Sequence, residues 1–256
     1  PPPPPPPPLH PPPPPPHPHT RPWSSAASDV YKRQYFFGIA LLTAILVQLE
    51  VANPGTLRLQ EFMAESDTYG TSEFSIVEII QLMILLACGF LMGWVARNNL
   101  AQRPLAILFG GLALVFMIRE LHYFFDQYLI DNLWQVLAGI CGALLIAYSY
   151  RHLKRLNIAL ARIWPSPGLT LIFAGAVILF AFSILVGHEP FWQAMLGDAY
   201  ARIIKLAVEE FIELIGYLLW LIGTIEYVYQ SKALMEREPK PAAVKRRESR
   251  RRHQGS

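Results

Sequence analysis

Six long apolar runs occupy nearly half of the chain, and more polar stretches separate them. A helix needs about 20 residues, at a rise of about 1.5 Å each, to cross the hydrocarbon core of a bilayer. Runs of this kind predict helices, because a helix satisfies its own backbone hydrogen bonds in lipid. The pattern therefore predicts an all-α, polytopic membrane helix bundle within residues 35–230. Its six transmembrane helices are expected at 35–52, 75–96, 105–125, 133–150, 168–187 and 206–229.

The composition strengthens the membrane interpretation. The chain is 53% hydrophobic and 16% charged, and its mean hydropathy is +0.29. A soluble globular protein carries about 25% charged residues, so the deficit argues against an ordinary soluble domain. Both cysteines, Cys88 and Cys141, fall in the middle of predicted helices and are interpreted as packing residues rather than as a disulfide.

The first 34 residues differ from the rest of the chain. Residues 1–19 are nearly all proline, which favours polyproline II and cannot build a core. The hexapeptide Asp29-Val-Tyr-Lys-Arg-Gln34 resembles the translation of a transposon sequencing adaptor. Residues 1–34 are therefore predicted to be a disordered, non-native segment. Six helices are then a lower bound for the natural protein. The alternative is a genuine Pro/His-rich arm that binds SH3-like domains or metal.

The charges between the apolar runs predict an orientation. Cytoplasmic loops of membrane proteins are rich in Lys and Arg. The loops 97–104 and 151–167 carry bases and no acid, and the segment 231–256 carries nine Lys or Arg and three acids. The loops 53–74 and 126–132 are acidic instead. Both termini are therefore predicted in the cytoplasm of a cell with a bacterial-type inner membrane.

The basic segment 231–256 also predicts a partner. It is expected to be disordered and to be attracted to anionic lipid head groups, while the lipid bilayer surrounds the helices. Nucleic acid is not expected as a partner, since lipid accounts for the charge. The oligomeric state is left open.

Polar and ionisable side chains interrupt the apolar runs at a similar depth. Given the predicted orientation, they fall in the outer third of the bilayer, whereas the inner halves of the helices are almost purely apolar. A charge at such a depth is costly, so these side chains are expected to point inward and form one polar cluster. The candidate members are Glu78, Gln81, Arg119, Glu120, His122, Asp126, Glu209, Glu210, Glu213 and Tyr217.

The acids in this predicted cluster outnumber the bases. Carboxylates that are close together in a low dielectric cannot all ionise, so the cluster needs bound protons, a cation or water. The sequence thus indicates a membrane protein that binds a cation or a proton, as a transporter or a sensor. The structural alternative is a set of buried pairs, such as Arg119 with Glu213, that only fixes helix packing.

A second functional alternative is an intramembrane metal-dependent enzyme. Candidate ligands for a divalent metal are His122, His188, Glu209 and Glu213. His122 with Asp126 on one helix face resembles the ceramidase- and progestin-receptor-like membrane hydrolases, and this resemblance implies zinc. That family also has a late His-x-x-x-His pair, where this chain has Glu209-x-x-x-Glu213. Haem ligation by His122 and His188 is not favoured.

Small residues four positions apart mark two candidate helix contacts. They are Gly89-x-x-x-Gly93 and Ala138-x-x-x-Gly142. Small residues at this spacing allow the backbones of two transmembrane helices to approach closely. The pattern predicts that the second and fourth apolar runs contact other helices at these positions.

Overall fold

The computed structural model describes residues 23–53, 56–57, 75–200 and 202–237. Helices are the regular elements of this part of the chain, and it contains no strand, which confirms the all-α prediction. A π-helical turn at Ile178–Phe182 joins α7 to α8, and a 3-10 turn at Gly197–Ala199 follows α9. The helices are α1 Trp23–Ala52, α2 Ile76–Asn98, α3 Arg103–Glu120, α4 His122–Tyr128, α5 Leu133–Arg151, α6 Leu153–Ile163, α7 Pro167–Val177, α8 Ser183–Val186, α9 Glu189–Leu196 and α10 Arg202–Arg237.

Five helical stretches of the described chain are long and apolar enough to cross a membrane. They are Gln34–Ala52, Ile76–Asn98, Leu133–Arg151, Pro167–Val186 and Ile204–Glu236. The sixth predicted run, 105–125, is not among them. There α3 ends at Glu120, and its 18 residues include Arg103, Arg119 and Glu120 at the two ends. The chain then turns at Leu121 before α4 begins.

Large apolar side chains cover the outside of these helices. Phe90 on α2 is 78% exposed, and Ile146 and Tyr150 on α5 are exposed as well. None of the apolar stretch of α5 is buried within the protein. Soluble monomers rarely expose so many large apolar side chains, whereas a surface that faces lipid does.

The long helix α10 forms the centre of the bundle. It packs against α2 and against α7, while α3 packs along α2 and contacts α5 and α6. Side chains of α3 also reach α10. Leu214, Tyr217 and Trp220 of α10 are buried, together with Leu85 of α2 and Ile172 of α7. One compact unit of the fold begins at Leu42 and contains all of these helices.

Four glycines bring α7 and α10 into backbone contact. Gly168 and Gly175 are seven residues apart on α7, and Gly216 and Gly223 are seven residues apart on α10. A Cβ atom on Gly175 would lie 2.7 Å from the carbonyl oxygen of Gly216, and one on Gly223 would lie 2.7 Å from that of Gly168. Since backbone atoms cannot move aside, any larger residue would push the helices apart.

The two small-residue motifs that the sequence analysis selected are placed differently. A Cβ atom on Gly89, Gly93 or Gly142 would meet no other atom of the described chain within 4 Å. The prediction that these motifs form close helix contacts is therefore wrong within this chain. The helices that carry them turn these positions away from their neighbours.

The segment predicted as the loop 151–167 contains the amphipathic helix α6. Leu156, Ala159 and Ile163 recur at spacings of three and four, and all are buried beside α3. Lys154 and Arg155 lie on the opposite, exposed face. Sequence analysis interpreted the bases of this segment as loop charges because it contains no long apolar run.

The two end segments fall partly outside the described residues. Helix α1 begins at Trp23, so it includes twelve residues of the segment 1–34 that was predicted to be disordered. Residues 1–22 lie outside the description. At the other end α10 continues to Arg237, whereas the predicted helix stopped at 229. The rest of the basic segment, 238–256, also lies outside the described residues.

Candidate functional site

The site is centred on an ion pair between α3 and α10. Arg119, at the last turn of α3, donates a hydrogen bond from its guanidinium group to Oε1 of Glu213 on α10. Ser183, the first residue of α8, donates a second hydrogen bond of 2.5 Å to the same oxygen. The side chain of Glu213 is 6% exposed and that of Arg119 is 36% exposed. Three helices therefore meet at this carboxylate, and the Arg119–Glu213 contact anticipated from the sequence is present.

Glu120 brings a second carboxylate to the same guanidinium group. Its Oε1 atom lies 4.0 Å from Nη1 of Arg119 and accepts a 2.5 Å hydrogen bond from the hydroxyl of Tyr217. The side chain of Glu120 is 7% exposed. Arg119 thus lies between two buried carboxylates, one from its own helix and one from α10.

Glu78 and Glu210 form the neighbouring part of the site. Ser75 caps α2 in a capping box, in which Glu78 Oε2 accepts from the backbone N–H of Ser75 at 3.2 Å. The Ser75 hydroxyl donates to Glu210 Oε2 at 3.2 Å, and Gln81 Nε2 donates to the Glu210 carbonyl at 3.0 Å. The capping box satisfies the backbone N–H groups of Ser75 and Glu78, and the Ser75 hydroxyl links it to Glu210 of α10.

These carboxylates form one electrostatic unit. Glu78 interacts with Glu210, Glu120 and His122, and Glu120 interacts with Glu213, Arg119 and His122. Arg119 supplies one positive charge beside Glu120 and Glu213, and the imidazole of His122 lies near Glu78 and Glu120. We call Glu78, Glu120, Glu210 and Glu213 the carboxylate cluster.

Two predicted members lie at the margin of the cluster or outside it. Glu209 pairs with Lys205 one turn earlier on α10, at 3.5 Å. Asp126 is exposed and accepts a 2.8 Å hydrogen bond from the backbone N–H of Asn132, whose φ is 62°. Asp126 therefore lies outside the cluster in which it was predicted, and the chain turns at Leu121 between Arg119 and Asp126.

The four candidate metal ligands are not brought together. Glu213 is occupied by Arg119 and Ser183, and Glu209 by Lys205. His122 Nδ1 lies 2.9 Å from the carbonyl oxygen of Arg119 and its ring packs edge-on against Trp134, while His188 is exposed at the start of α9. In the part of the chain that the structure describes, no three His, Cys, Asp or Glu side chains form a metal-binding group.

Sequence analysis missed a second polar network at the opposite end of α2 and α10. There Asn99 Nδ2 donates to the carbonyl of Ser231 at 3.1 Å, and Gln102 Nε2 donates to that of Ala159 at 3.2 Å. The hydroxyl of Tyr227 donates to Gln102 Oε1 at 3.1 Å. Asn99, Gln102 and Tyr227 are all buried, so the expectation of an almost purely apolar inner half is wrong at this end.

The signal for this network was present in the sequence but divided between two segments. Asn99 and Gln102 fall in a short connection that was interpreted as a loop outside the bilayer. Thr224 and Tyr227 fall in the last apolar run, where single hydroxyl groups do not interrupt the pattern, and Ser231 follows directly after it. Polar residues spaced by three and four along the last helix indicate the part of this network that α10 contributes.

Comparisons with known proteins give no further information about the site. No protein-family model, no curated protein and no solved structure matches the chain. The function proposed below therefore depends on the geometry and charge of the carboxylate cluster.

Proposed function

We propose that this chain is a multi-pass integral membrane protein whose carboxylate cluster binds protons, as part of a transporter or a sensor. The observation that carries the proposal is the position of Arg119 between the carboxylates of Glu120 and Glu213. Glu78 interacts electrostatically with Glu120 and with Glu210. A single guanidinium group offsets one negative charge. Further carboxylates remain in a site from which protein and lipid exclude most water.

Protons are the simplest way to balance this charge. Carboxylates at close range in a low dielectric cannot all ionise, so at least one of them takes up a proton. A bound metal ion is another way, but the described side chains do not form a metal-binding group. The partial exposure of Arg119 leaves one side of the cluster accessible for proton exchange.

A purely structural role would need fewer acids. One Arg–Glu pair is enough to fix two helices, and each further buried carboxylate adds a desolvation cost. Glu120 and Glu78 add that cost without adding a cation. Because protonation changes the charge beside Arg119, it also changes the strength of the contact between α3 and α10, which is what a proton-linked transporter or sensor requires.

We further propose that α3 is a sixth transmembrane helix and that both termini are cytoplasmic. Its 18 residues extend about 27 Å, close to the hydrocarbon thickness, and residues 104–118 carry no charge. Asn99–Gln102 is too short to do more than reverse the chain, so α3 runs back along α2. The basic segments then lie on the inner side of a bacterial-type inner membrane.

This topology predicts opposite labelling of two exposed positions. In a variant with Cys88→Ser and Cys141→Ser, the change Asp131→Cys should react with a membrane-impermeant maleimide added outside the cell. Asn98→Cys should react only after the membrane is opened, because α3 separates the two positions. Labelling of both from the same side would show that α3 does not cross the membrane.

Anionic lipids are the proposed partner of the basic side. Lys154 and Arg155 lie exposed on α6, whose other face is packed against the protein. Each charge near an anionic surface contributes about 1 kcal/mol of attraction. Helix α6 therefore adds to the attraction proposed for the basic C-terminal segment.

Proton binding is tested by counting the protons that the protein releases. Purified protein in lipid nanodiscs is made alkaline in steps, and a pH-sensitive dye reports the released protons. Glu78→Gln and Glu120→Gln should each release roughly one proton fewer than the wild type, because the excess acid is what holds the protons. The matched control is Glu189→Gln, which removes an exposed acid at the start of α9 and leaves the carboxylate cluster intact. Equal release by the wild type and both cluster variants would refute the proposal.

A further inference from the structure

One face of α10 carries polar or hydrogen-bonding side chains along nearly its whole length. They are Glu213, Tyr217, Trp220, Thr224, Tyr227 and Ser231, at spacings of four, three, four, three and four. Each of these residues, backbone and side chain together, is 4% exposed or less. From first to last they extend about 27 Å, close to the thickness of the hydrocarbon core. We call this set the α10 column.

Both ends of the α10 column are connected to hydrogen-bond networks. At one end Tyr217 donates to Glu120, and Glu213 binds Arg119 and Ser183. At the other end Tyr227 donates to Gln102, and the carbonyl of Ser231 accepts from Asn99. The column thus joins the carboxylate cluster to the second polar network.

Two buried polar atoms in the middle of the column lack a nitrogen or oxygen hydrogen-bond partner. They are Nε1 of Trp220 and Oγ1 of Thr224, and the thiol of Cys88 beside Thr224 offers only a weak sulfur contact. A buried Thr in a transmembrane helix ordinarily bonds the carbonyl four residues earlier, and Thr224 does not. Unpaired buried groups of this kind are the usual places for internal water.

Aromatic rings close the column at the same level. The ring of Trp220 packs edge-to-face against Phe109 at 6.3 Å and against Phe116 at 5.6 Å between centroids. Phe116 also packs against Tyr217, at 5.8 Å. We call the three rings Phe109, Phe116 and Trp220 the aromatic plug; Trp220 lies on α10 between Tyr217 and Thr224.

We propose that the α10 column is a proton route through the bundle and that the aromatic plug at Trp220 is its gate. When the plug opens, water enters the gap of about 10 Å between Tyr217 and Thr224 and connects the two networks. The inference rests on the proposed function, because the carboxylate cluster supplies the proton that enters the route. In the structure described here the plug is closed.

The chemistry of the route needs only proton exchange between oxygen atoms. Each hydroxyl or water accepts a proton on its oxygen and donates its own to the next oxygen, so that one proton enters and one leaves. The indole N–H of Trp220 only donates and cannot relay a proton. A water that accepts from Nε1 must therefore carry the proton past Trp220, which explains why an unpaired donor lies at this level.

The test is proton entry into sealed proteoliposomes that contain a pH-sensitive dye, after an acid pulse outside and with the membrane potential clamped. Trp220→Ala and Trp220→Leu should each raise the entry rate several-fold over the wild type, because both remove the plug. Trp220→Phe retains an aromatic ring and should admit protons at about the wild-type rate. The matched control is Phe180→Ala, which removes a ring that contacts Phe116 from outside the column and should also stay tight.

A second substitution shows whether the protons follow the column. Adding Thr224→Val to Trp220→Ala should return the entry rate to near the wild-type value, because the relay oxygen is lost. The inference is overturned if folded, monodisperse Trp220→Ala and Trp220→Leu stay as tight as the wild type. It is also overturned if Thr224→Val leaves the leak unchanged.

The result is separable from the outcome of the proton-release experiment. If Glu78→Gln and Glu120→Gln lower proton release but the plug variants stay tight, the cluster binds protons and the column is not their route. If the plug variants leak through Thr224 but proton release is unaffected, the column conducts and the proposed function of the cluster is wrong.

Discussion

Replacing Arg119 with methionine should destabilise the protein by about 2–4 kcal/mol, measured by equilibrium unfolding in mixed micelles at neutral pH. The change leaves Glu213 and Glu120 buried with no cation, and removing one partner of a buried pair costs more than the pair itself contributes. This expected loss of stability is smaller than the loss on breaking a fully buried ion pair, because the Arg119 side chain is 36% exposed. The loss should be smaller in acid, since protonation removes the uncompensated charge.

Two further variants identify the cause of that loss. Arg119→Met combined with Glu213→Gln should recover a large part of the stability, because one of the two uncompensated buried carboxylates is removed. Arg97→Met, at the exposed end of α2, should stay within about 0.5 kcal/mol of the wild type. If Arg119→Met were as stable as Arg97→Met at neutral pH, the ion pair would contribute nothing and the cluster would not be centred on it.

Replacing Gly175 with alanine should destabilise the bundle by about 1–3 kcal/mol, the usual cost of overpacking. The new Cβ atom would lie 2.7 Å from the carbonyl oxygen of Gly216 and 3.1 Å from the backbone nitrogen of Trp220. Neither is the flexible end of a side chain, so α7 must move away from α10. That movement also withdraws Ser183 from Glu213, because α7 continues into α8. The measurement is again equilibrium unfolding in mixed micelles.

The matched control for Gly175 is Gly142→Ala on α5. A Cβ atom there meets nothing within 4 Å, and alanine favours a helix over glycine by up to about 1 kcal/mol. Gly142→Ala should therefore be neutral or slightly stabilising. A loss at Gly142 equal to that at Gly175 would mean that the close contact of α7 with α10 is not the reason that glycine is needed.

The main helices were predictable because long apolar runs have few other solutions in lipid. The runs at 75–96, 133–150, 168–187 and 206–229 correspond to α2, α5, α7 with α8, and α10. The break at Leu121 was not predictable, because it depends on tertiary and local polar contacts. His122 Nδ1 lies against the Arg119 carbonyl, and Asp126 accepts from the amide of Asn132. Hydropathy does not register either contact.

The site was predictable in its charges and in one example of a pair, Arg119 with Glu213, but not in its other contacts. Arg119 is the one guanidinium group among several acids at a similar depth, so an ion pair with one of them was expected. The contacts of Tyr217 with Glu120 and of Ser75 with Glu210 depend on which helices are neighbours. Periodicity along one helix shows which residues share a face, but it does not identify the helix opposite that face.

The glycine contacts illustrate the same limit. Gly89 and Gly93 match a familiar spacing for helix contacts, yet both lie away from the rest of the chain. The glycines that do form a contact, Gly168 with Gly223 and Gly175 with Gly216, are seven residues apart on each helix. Spacing alone does not determine whether a small face is turned toward a neighbour or toward lipid.

The most direct test of proton binding by the carboxylate cluster is the infrared spectrum of the protein in lipid nanodiscs near neutral pH. A neutral carboxyl group has a C=O stretching band that is well separated from the carboxylate bands and that shifts when the sample is transferred to heavy water. The proposal predicts such a band in the wild type and in Glu189→Gln, and a weaker one in Glu78→Gln or Glu120→Gln. A wild-type spectrum that contains only ionised carboxylates would contradict it.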